Sequence, residues 1–94
     1  MKDLAFEWDE EKNKSNIQKH GVSFSEATSV FADDHGLLIA DPDHSEDEDR
    51  FLLLGLGAKL RLLLVCHCFE VSDGIIRIIS CRKAGMKEIV KYRR

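Results

Sequence analysis

Apolar positions recur at helical spacing in the first third of the chain and at strand spacing in the rest. Phe24, Ala27, Val30 and Phe31 form the i, i+3, i+7 stripe that is typical of a helix facing a core. Four later runs are rich in branched and aromatic apolar residues, and they predict strands over Leu37–Ala40, Phe51–Leu56, Leu60–Phe69 and Ile75–Arg82. The pattern therefore predicts helices followed by a sheet.

Capping residues predict the limits of two helices in the first third. Asp9 is suited to cap a helix that runs to about His20, and Gly21 is typical of the left-handed residue that ends one. Ser23 and Glu26 have the spacing of a capping box at the start of the second helix. The first helix carries a single strongly apolar residue, so we expect it to face a partner, a cleft or solvent.

Short connections that contain glycine link the later strands. Gly55-Leu56-Gly57 and Ser72-Asp73-Gly74 favour an antiparallel meander. Phe6–Trp8 can form a short opening strand, and Met86–Tyr92 predicts a short basic helix. The order β-α-α-β-β-β-β-α predicts an α+β fold, with an antiparallel sheet packed against two N-terminal helices and a short C-terminal helix. The length of 94 residues fits a single domain over residues 1–94.

Strand alternation predicts which side chains meet on the sheet. In Leu60–Phe69 the even-numbered positions are all apolar, so we expect His67 to project from the other, more polar face. A three-residue loop over Ser72-Asp73-Gly74 makes Arg77 a diagonal neighbour of His67 on that face. A two-residue turn would instead place Arg77 on the apolar face, which is costly for an unpaired charge. We therefore expect the three-residue loop.

The net charge of −3 hides a strong separation of charge along the chain. From Asp33 to Arg50 eight acids and one base give −7, whereas from Ile75 to Arg94 seven bases and one acid give +6. A basic segment of this density is expected for a polyanion or an acidic protein partner, and a solvated helix face is the alternative. Three cysteines at no framework spacing favour reduced thiols in the cytoplasm. We expect no signal peptide and no membrane span.

A histidine, an arginine and further cations on one sheet face are the minimum for cleaving RNA without a metal. His67 can move a proton near neutral pH, and an arginine fork can bind the scissile phosphate. A histidine beside an arginine is more often structural, however, so the residues alone leave this function open. Cys66 and Cys68 with Cys81 do not have the spacing of a zinc site, and burial as small apolar groups is the favoured alternative.

Motifs at both ends of the chain, and some between them, resemble the BrnT family of bacterial toxins. The residues that carry the resemblance are Phe6-Glu7-Trp8-Asp9, Lys12, Asn16, Lys19-His20-Gly21-Val22-Ser23-Phe24, Glu26-Ala27, Asp41, His44-Ser45, Glu48, Arg50, Arg77-Ile78-Ile79-Ser80, Arg82-Lys83-Ala84, Glu88 and Tyr92. The resemblance implies a RelE-like fold and a ribonuclease that inhibits translation by cutting RNA. It also implies a BrnA-type ribbon-helix-helix antitoxin in a 2:2 assembly, which binds operator DNA through the antitoxin.

The residues and the resemblance together predict a site for metal-independent endoribonuclease activity, with no cofactor. Arg77 and Arg82 are the expected phosphate and transition-state contacts, and His67 is the expected acid or base. Glu48 either orients one of these cations or is itself the base. The expected RNA-binding residues are Lys12, Lys19, Lys83 and Trp8, the last by packing beneath the cleft or stacking on a base. The alternative function is a non-catalytic module that binds nucleic acid or protein and acts as a co-repressor.

Overall fold

The computed structural model describes residues 4–41, 50–70 and 73–94, and in them every predicted helix and strand is present. Their limits lie within two residues of the expected ones, except that the second helix, expected to end at Asp33-Asp34, ends at Ser29 and continues as a 3₁₀ turn. The elements are β1 Ala5–Glu7, α1 Glu10–His20, α2 Phe24–Ser29, a 3₁₀ turn Val30–Ala32, β2 Leu37–Ala40, β3 Arg50–Leu56, β4 Leu62–Glu70, β5 Ile75–Lys83 and α3 Met86–Tyr92. None of the helices found in these ranges has the length and apolar character needed to span a membrane.

The predicted caps set the ends of α1 and α2. The Asp9 carboxylate accepts hydrogen bonds from two backbone N–H groups of the first turn of α1, and Gly21 has φ 69° after its last turn. The Ser23 hydroxyl accepts from the Glu26 backbone N–H at 3.0 Å. The reciprocal half of the expected capping box is wrong, because the Glu26 carboxylate binds the Arg61 guanidinium instead. This ion pair links α2 to the residue that precedes β4.

The five strands form one mixed sheet in the order β1-β5-β4-β3-β2. The meander β2-β3-β4-β5 is antiparallel as expected, and the α+β architecture is confirmed. The expectation of a wholly antiparallel sheet is wrong, because β1 pairs with β5 in parallel. Turn residues specify the pairing of consecutive strands, but they carry no information on where a strand separated by two helices will join.

The two sides of the sheet have different roles. The helix-bearing face packs against α1 and α2, and its core includes Phe24 from α2 with Val65 of β4 and Ile78 of β5. We name the other side the reverse face; it carries Leu64, Cys66, Cys68, Arg77, Ser80 and Arg82. The C-terminal α3 contacts β3 and is fixed at its end by the Tyr92 hydroxyl, which donates to Asp33 at 2.6 Å.

The connection from β4 to β5 differs from the prediction and reverses the faces of β5. Glu70 pairs with Ile75, so four residues lie between the paired positions instead of three. Arg77 therefore pairs with Cys68 on the reverse face, and the predicted neighbourhood of His67 and Arg77 is wrong. The guanidinium of Arg77 avoids the cost of an unpaired charge because it is half-exposed and bonded to Glu7 at 2.8 Å.

A β-bulge in β5 then changes the alternation a second time. Cys66 pairs with Ser80 and His67 with Ile78, so Ile79 is an extra residue on β5. Without this bulge, Arg77 and Arg82 would lie on opposite faces, because they are an odd number of residues apart. With it, both arginines lie on the reverse face.

Candidate functional site

The three side chains expected to form the site divide between the two faces of the sheet. His67 lies on the helix-bearing face and is 4% exposed, whereas Arg77 and Arg82 lie on the reverse face. The expectation that His67 projects from an open surface is wrong. Both faces of β4 carry apolar side chains, and the face that holds His67 is the one that α1 and α2 cover.

His67 is enclosed by aromatic rings. Its imidazole lies edge-on to Phe31 at 4.8 Å between ring centroids and tilted to Phe51 at 6.2 Å. Its Nδ1 lies 3.2 Å from the Val65 carbonyl oxygen. Burial lowers the pKa of His67, so the ring is neutral near pH 7. This environment belongs to the core rather than to a polar cleft.

Arg82 on the reverse face is firmly oriented. Its Nη1 and Nη2 donate to the two carboxylate oxygens of Glu88 at 2.9 and 3.0 Å, in the fork geometry that fixes the guanidinium plane. Glu88 lies in the first turn of α3 and also accepts from the Gly85 backbone N–H at 2.6 Å. These hydrogen bonds lower the pKa of Glu88 to about 2, and its carboxylate raises the pKa of Arg82.

Arg82 shares a pocket with a histidine that the sequence analysis did not select. This pocket of about 320 Å³ is lined by His20 at the end of α1 and by polar side chains of the reverse face, including Ser80, Arg82, Arg50 and Asp41. The helix terminus explains His20 as a residue that stabilises the end of α1. In addition, His20 borders the same pocket as Arg82.

A second pocket, also about 320 Å³, continues along the exposed side of α1. It is lined by Lys12 and Lys19, with Asp9 and Glu11 at the start of the helix, and it shares His20, Ile79 and Ser80 with the first pocket. We name the two joined pockets the cationic groove. Lys12 and Lys19 are seven residues apart, which places them on one side of a helix. The expected RNA-binding lysines of α1 therefore lie in the same groove as Arg82.

Asn16 fixes α1 beside this groove, and the sequence analysis gave it no role in the fold. Its side-chain amide is buried, donates to the carbonyl oxygens of Val22 and Cys81 at 2.8 Å each, and accepts from the Cys81 N–H at 3.1 Å. The amide thus pairs with β5 as a peptide group of a neighbouring strand would. The amide pairs with β5 beyond the point where the parallel strand β1 ends, which is opposite Arg77.

The other predicted site residues lie outside the groove or outside the described residues. Lys83 is exposed and belongs by register to the helix-bearing face, opposite Leu63. Trp8 is half-buried against Phe24, and its indole N–H donates to Glu10 at 3.1 Å. Glu48 lies outside the described residues. The structure therefore groups Arg82, Lys12 and Lys19, adds His20, and separates Lys83 and Trp8 from them.

The three cysteines also divide between the faces. Cys81 packs in the core of the helix-bearing face, whereas Cys66 and Cys68 lie on the reverse face. Burial, together with the neighbouring Asp41 carboxylate, raises the pKa of Cys66 to about 11, and burial raises that of Cys81 to about 12. Both thiols are therefore protonated near pH 7. No cluster of three or more candidate metal ligands occurs within residues 4–41, 50–70 and 73–94.

Acid should weaken the fold through Glu88. Its pKa of about 2 in the folded chain is below its ordinary value of 4.5, so its contribution to stability is present above pH 4.5 and is lost as the pH falls toward 2. We expect the free energy of unfolding, measured by urea denaturation, to fall between about pH 6 and about pH 3, and to fall less in Glu88→Gln. For the control Glu11→Gln, at an exposed position of α1, the free energy of unfolding should fall by as much as it does for the unmodified chain. An equal fall in Glu88→Gln would contradict the assignment.

Comparison with known proteins identifies one family over most of the chain. A family model described as the ribonuclease toxin BrnT of type II toxin-antitoxin systems matches residues 8–88. The crystal structure of the ribonuclease toxin BrnT from Brucella abortus is similar, with a TM-score of 0.63 and 23% sequence identity over 89% of this chain and 100% of that one. At this identity the structural likeness shows the fold. A search of curated proteins found no match.

Proposed function

Since the chain belongs to the BrnT family of ribonuclease toxins of type II toxin-antitoxin systems, we propose that it is an endoribonuclease whose substrate binds in the cationic groove. One observation carries this proposal: His20 and the oriented guanidinium of Arg82 line the same pocket. A proton carrier and a phosphate-binding fork at one place are what the cleavage of an RNA strand needs.

Arg82 is suited to hold the scissile phosphate. Among the described residues, its bonds to Glu88 and to the Lys83 carbonyl use three of the five N–H donors of a guanidinium. Two donors are left for substrate, and Glu88 keeps them in a fixed direction. A fixed fork stabilises the charge that develops on the phosphate oxygens without having to be reoriented during the reaction.

His20 is the group that we propose as proton carrier, in place of His67. In the proposed reaction the 2′-oxygen attacks the neighbouring phosphorus, loses its proton, and displaces the 5′-oxygen of the next nucleotide. The products are a 2′,3′-cyclic phosphate and a 5′-hydroxyl, so atoms and charge balance without a metal ion or a water molecule. His20 accepts the 2′-hydroxyl proton and then delivers it to the departing 5′-oxygen.

The remaining cations of the proposed site bind the flanking backbone. Lys12 and Lys19 lie along α1 and suit phosphates on one side of the cut, and Arg77 lies further along β5 on the reverse face. Lys83 and Trp8 remain proposals as outer contacts. Glu48 remains a proposal for orienting a cation or acting as the base.

The toxin acts with an antitoxin partner, as membership of a type II system implies. We propose that this partner is a BrnA-type ribbon-helix-helix protein, that two toxins and two antitoxins assemble, and that the complex binds its operator through the antitoxin. In the same proposal the free toxin acts in the cytoplasm and inhibits translation by cutting RNA.

Purified chain should cleave a single-stranded RNA in the presence of EDTA and leave a 2′,3′-cyclic phosphate. We expect His20→Ala to lower the cleavage rate by about 10²-fold or more, the usual contribution of a positioned proton carrier. His35→Ala is the matched control, because His35 is exposed and lines a different pocket with Tyr92, away from the groove. The readout is the rate of product formation, with product ends identified by mass spectrometry.

Loss of cleavage in EDTA would contradict the metal-independent reaction. Equal cleavage rates of His20→Ala and the unmodified chain would contradict the role of His20 as proton carrier. A loss of cleavage confined to His67→Phe would support His67 as the acid or base, as first expected. Absence of cleavage under all conditions, together with normal growth of bacteria that express the chain, would favour the non-catalytic co-repressor.

A further inference from the structure

An apolar pocket of about 350 Å³ opens on the helix-bearing face, on the opposite side of the sheet from the cationic groove. The rings of Phe31, Phe51 and His67 line it, and His67 is among its most buried members. Its rim is exposed and apolar, with Leu38 at 62% and Phe69 at 43% exposure. Exposed apolar rims around a pocket are typical of a binding site.

The imidazole of His67 presents an unpaired acceptor to this pocket. A carbonyl oxygen only accepts, so the contact with Val65 places the ring proton on Nδ1 and leaves the lone pair of Nε2 as an acceptor. Within the described residues Nε2 has no hydrogen-bond partner. Every fully buried side-chain nitrogen or oxygen in these residues has a hydrogen-bond partner. Nε2 therefore remains accessible, and the pocket is the opening that the ring lines.

The occupant that fits is an aromatic group with one hydrogen-bond donor. Four aromatic rings and aliphatic side chains favour an apolar, planar group, and Nε2 requires an N–H or O–H from it. Asp33 is the charged member of the lining among the described residues. Burial raises the pKa of Asp33, but hydrogen bonds from Leu56, Tyr92 and His35 lower it overall, so its carboxylate is anionic. The described lining has this anion and no lysine or arginine to hold a phosphate, which favours a protein side chain over a nucleobase.

A second folded copy of the chain cannot supply a tryptophan or tyrosine side chain to this pocket. Its single tryptophan, Trp8, packs against Phe24 and donates its N–H to Glu10. Its single tyrosine, Tyr92, donates its hydroxyl to Asp33. Both donors are already in use, so a tryptophan or tyrosine occupant comes from a different protein.

We infer that the pocket receives a tyrosine or tryptophan side chain of the antitoxin, which anchors it on the side of the sheet away from the groove. This inference rests on the proposed function, in which the chain acts with an antitoxin. Leu38 belongs to β2, the edge strand of the described sheet, and an extended antitoxin segment along this edge would direct alternate side chains toward the pocket. Aromatic anchors in preformed pockets commonly dominate the affinity of an interface.

Indole and 1-methylindole form a matched pair of probes for the acceptor in the free chain. We expect indole to shift the Nε2 resonance of ¹⁵N-labelled His67 and to bind about fivefold or more tightly than 1-methylindole, which has no N–H. His67→Phe should bind the two compounds equally. Equal binding to the unmodified chain, or shifts confined to residues outside the pocket, would overturn the acceptor role.

Two exposed leucines test the partner. Leu38→Asp at the rim should weaken binding of the antitoxin encoded beside the toxin by about tenfold or more, whereas Leu60→Asp, at an 81% exposed position outside the pocket, should stay within about threefold. Cleavage of RNA by the two free variants should be unchanged. The inference is overturned if the two variants bind the antitoxin with equal affinity. It is also overturned if Leu38→Asp loses RNA binding but keeps its affinity for the antitoxin. If the unmodified chain binds antitoxin but cleaves no RNA, the proposed function fails and the docking result still stands.

Discussion

Replacing Arg82 with alanine should lower kcat for RNA cleavage by about 10²- to 10³-fold, the cost of removing one preorganised contact to transition-state charge. KM should change less, because neighbouring cations continue to bind the flanking phosphates. Arg82→Lys should restore only a small part of the rate, since an ammonium group offers no fork to Glu88 or to a phosphate. Single-turnover cleavage rates of the three proteins test this order.

Two controls separate the position of Arg82 from its charge. Arg93→Ala removes an exposed cation that lines a different pocket, beside His35, so its rate should stay within about threefold. Glu88→Gln keeps Arg82 but weakens the pair that orients it, so we expect a rate between those of the unmodified chain and Arg82→Ala. The Arg82–Glu88 pair is partly exposed, so all variants should fold, as circular dichroism can verify. Cleavage by Arg82→Ala at the same rate as by Arg93→Ala would contradict the proposed site.

The limits of the helices and strands could be predicted because they depend on neighbours in sequence. Asp9 and Gly21 set the ends of α1 through contacts within one helical turn. The alternation of apolar residues located β4 and β5 for the same reason. The parallel pairing of β1 with β5 joins segments about 70 residues apart, and no local signal specifies such a partner.

The site was harder to predict because it depends on which face of each strand is covered. β4 is apolar on both faces, and an alternating pattern of this kind does not say which side receives the helices. One extra residue in the β4–β5 connection and one in the bulge at Ile79 each reverse a face, and neither has a distinctive residue in the sequence. His67 was therefore placed on the wrong side of the sheet, whereas the role of Arg82 in the site stays a prediction.

The groove residues of α1 show what the sequence did contain. Asn16 lies four residues from Lys12 and from His20 and three from Lys19, so the four side chains share one side of α1. The polar character of this helix predicted a partner, a cleft or solvent beside it, and in the structure its polar side chains line a pocket. Its attachment by one buried side chain could not be predicted, because an asparagine on a polar helix resembles any solvated residue.

That attachment leads to the largest expected effect on stability. Asn16→Leu removes the donors of two buried carbonyl oxygens and the acceptor of the Cys81 N–H, and each unsatisfied buried group costs about 1–3 kcal/mol. We expect the free energy of unfolding to fall by about 3 kcal/mol or more, as measured by urea denaturation. Gln18→Leu is the matched control, since it makes the same kind of change at an exposed position of α1.

The variant Asn16→Asp distinguishes these hydrogen bonds from simple packing. A carboxylate of nearly the same size still accepts from the Cys81 N–H, but it faces the carbonyl oxygens of Val22 and Cys81 without a proton to donate. The folded state should therefore raise the pKa of the new carboxyl above its unfolded value of about 3.9. Its contribution to stability is then present below that value and is lost as the pH rises through the folded pKa.

Relative to the unmodified chain, Asn16→Asp should thus become more stable as the pH is lowered from about 7 to about 4, the opposite of the change that Glu88 produces. The cleavage rate of Asn16→Asp, expressed relative to that of the unmodified chain at each pH, should recover over the same range. The reason is that α1 carries His20, which lines the same pocket as Arg82. A deficit in stability that is independent of pH would mean that Asn16 contributes by packing alone. The joint recovery of folding and cleavage would instead show that one buried amide holds the two halves of the site together.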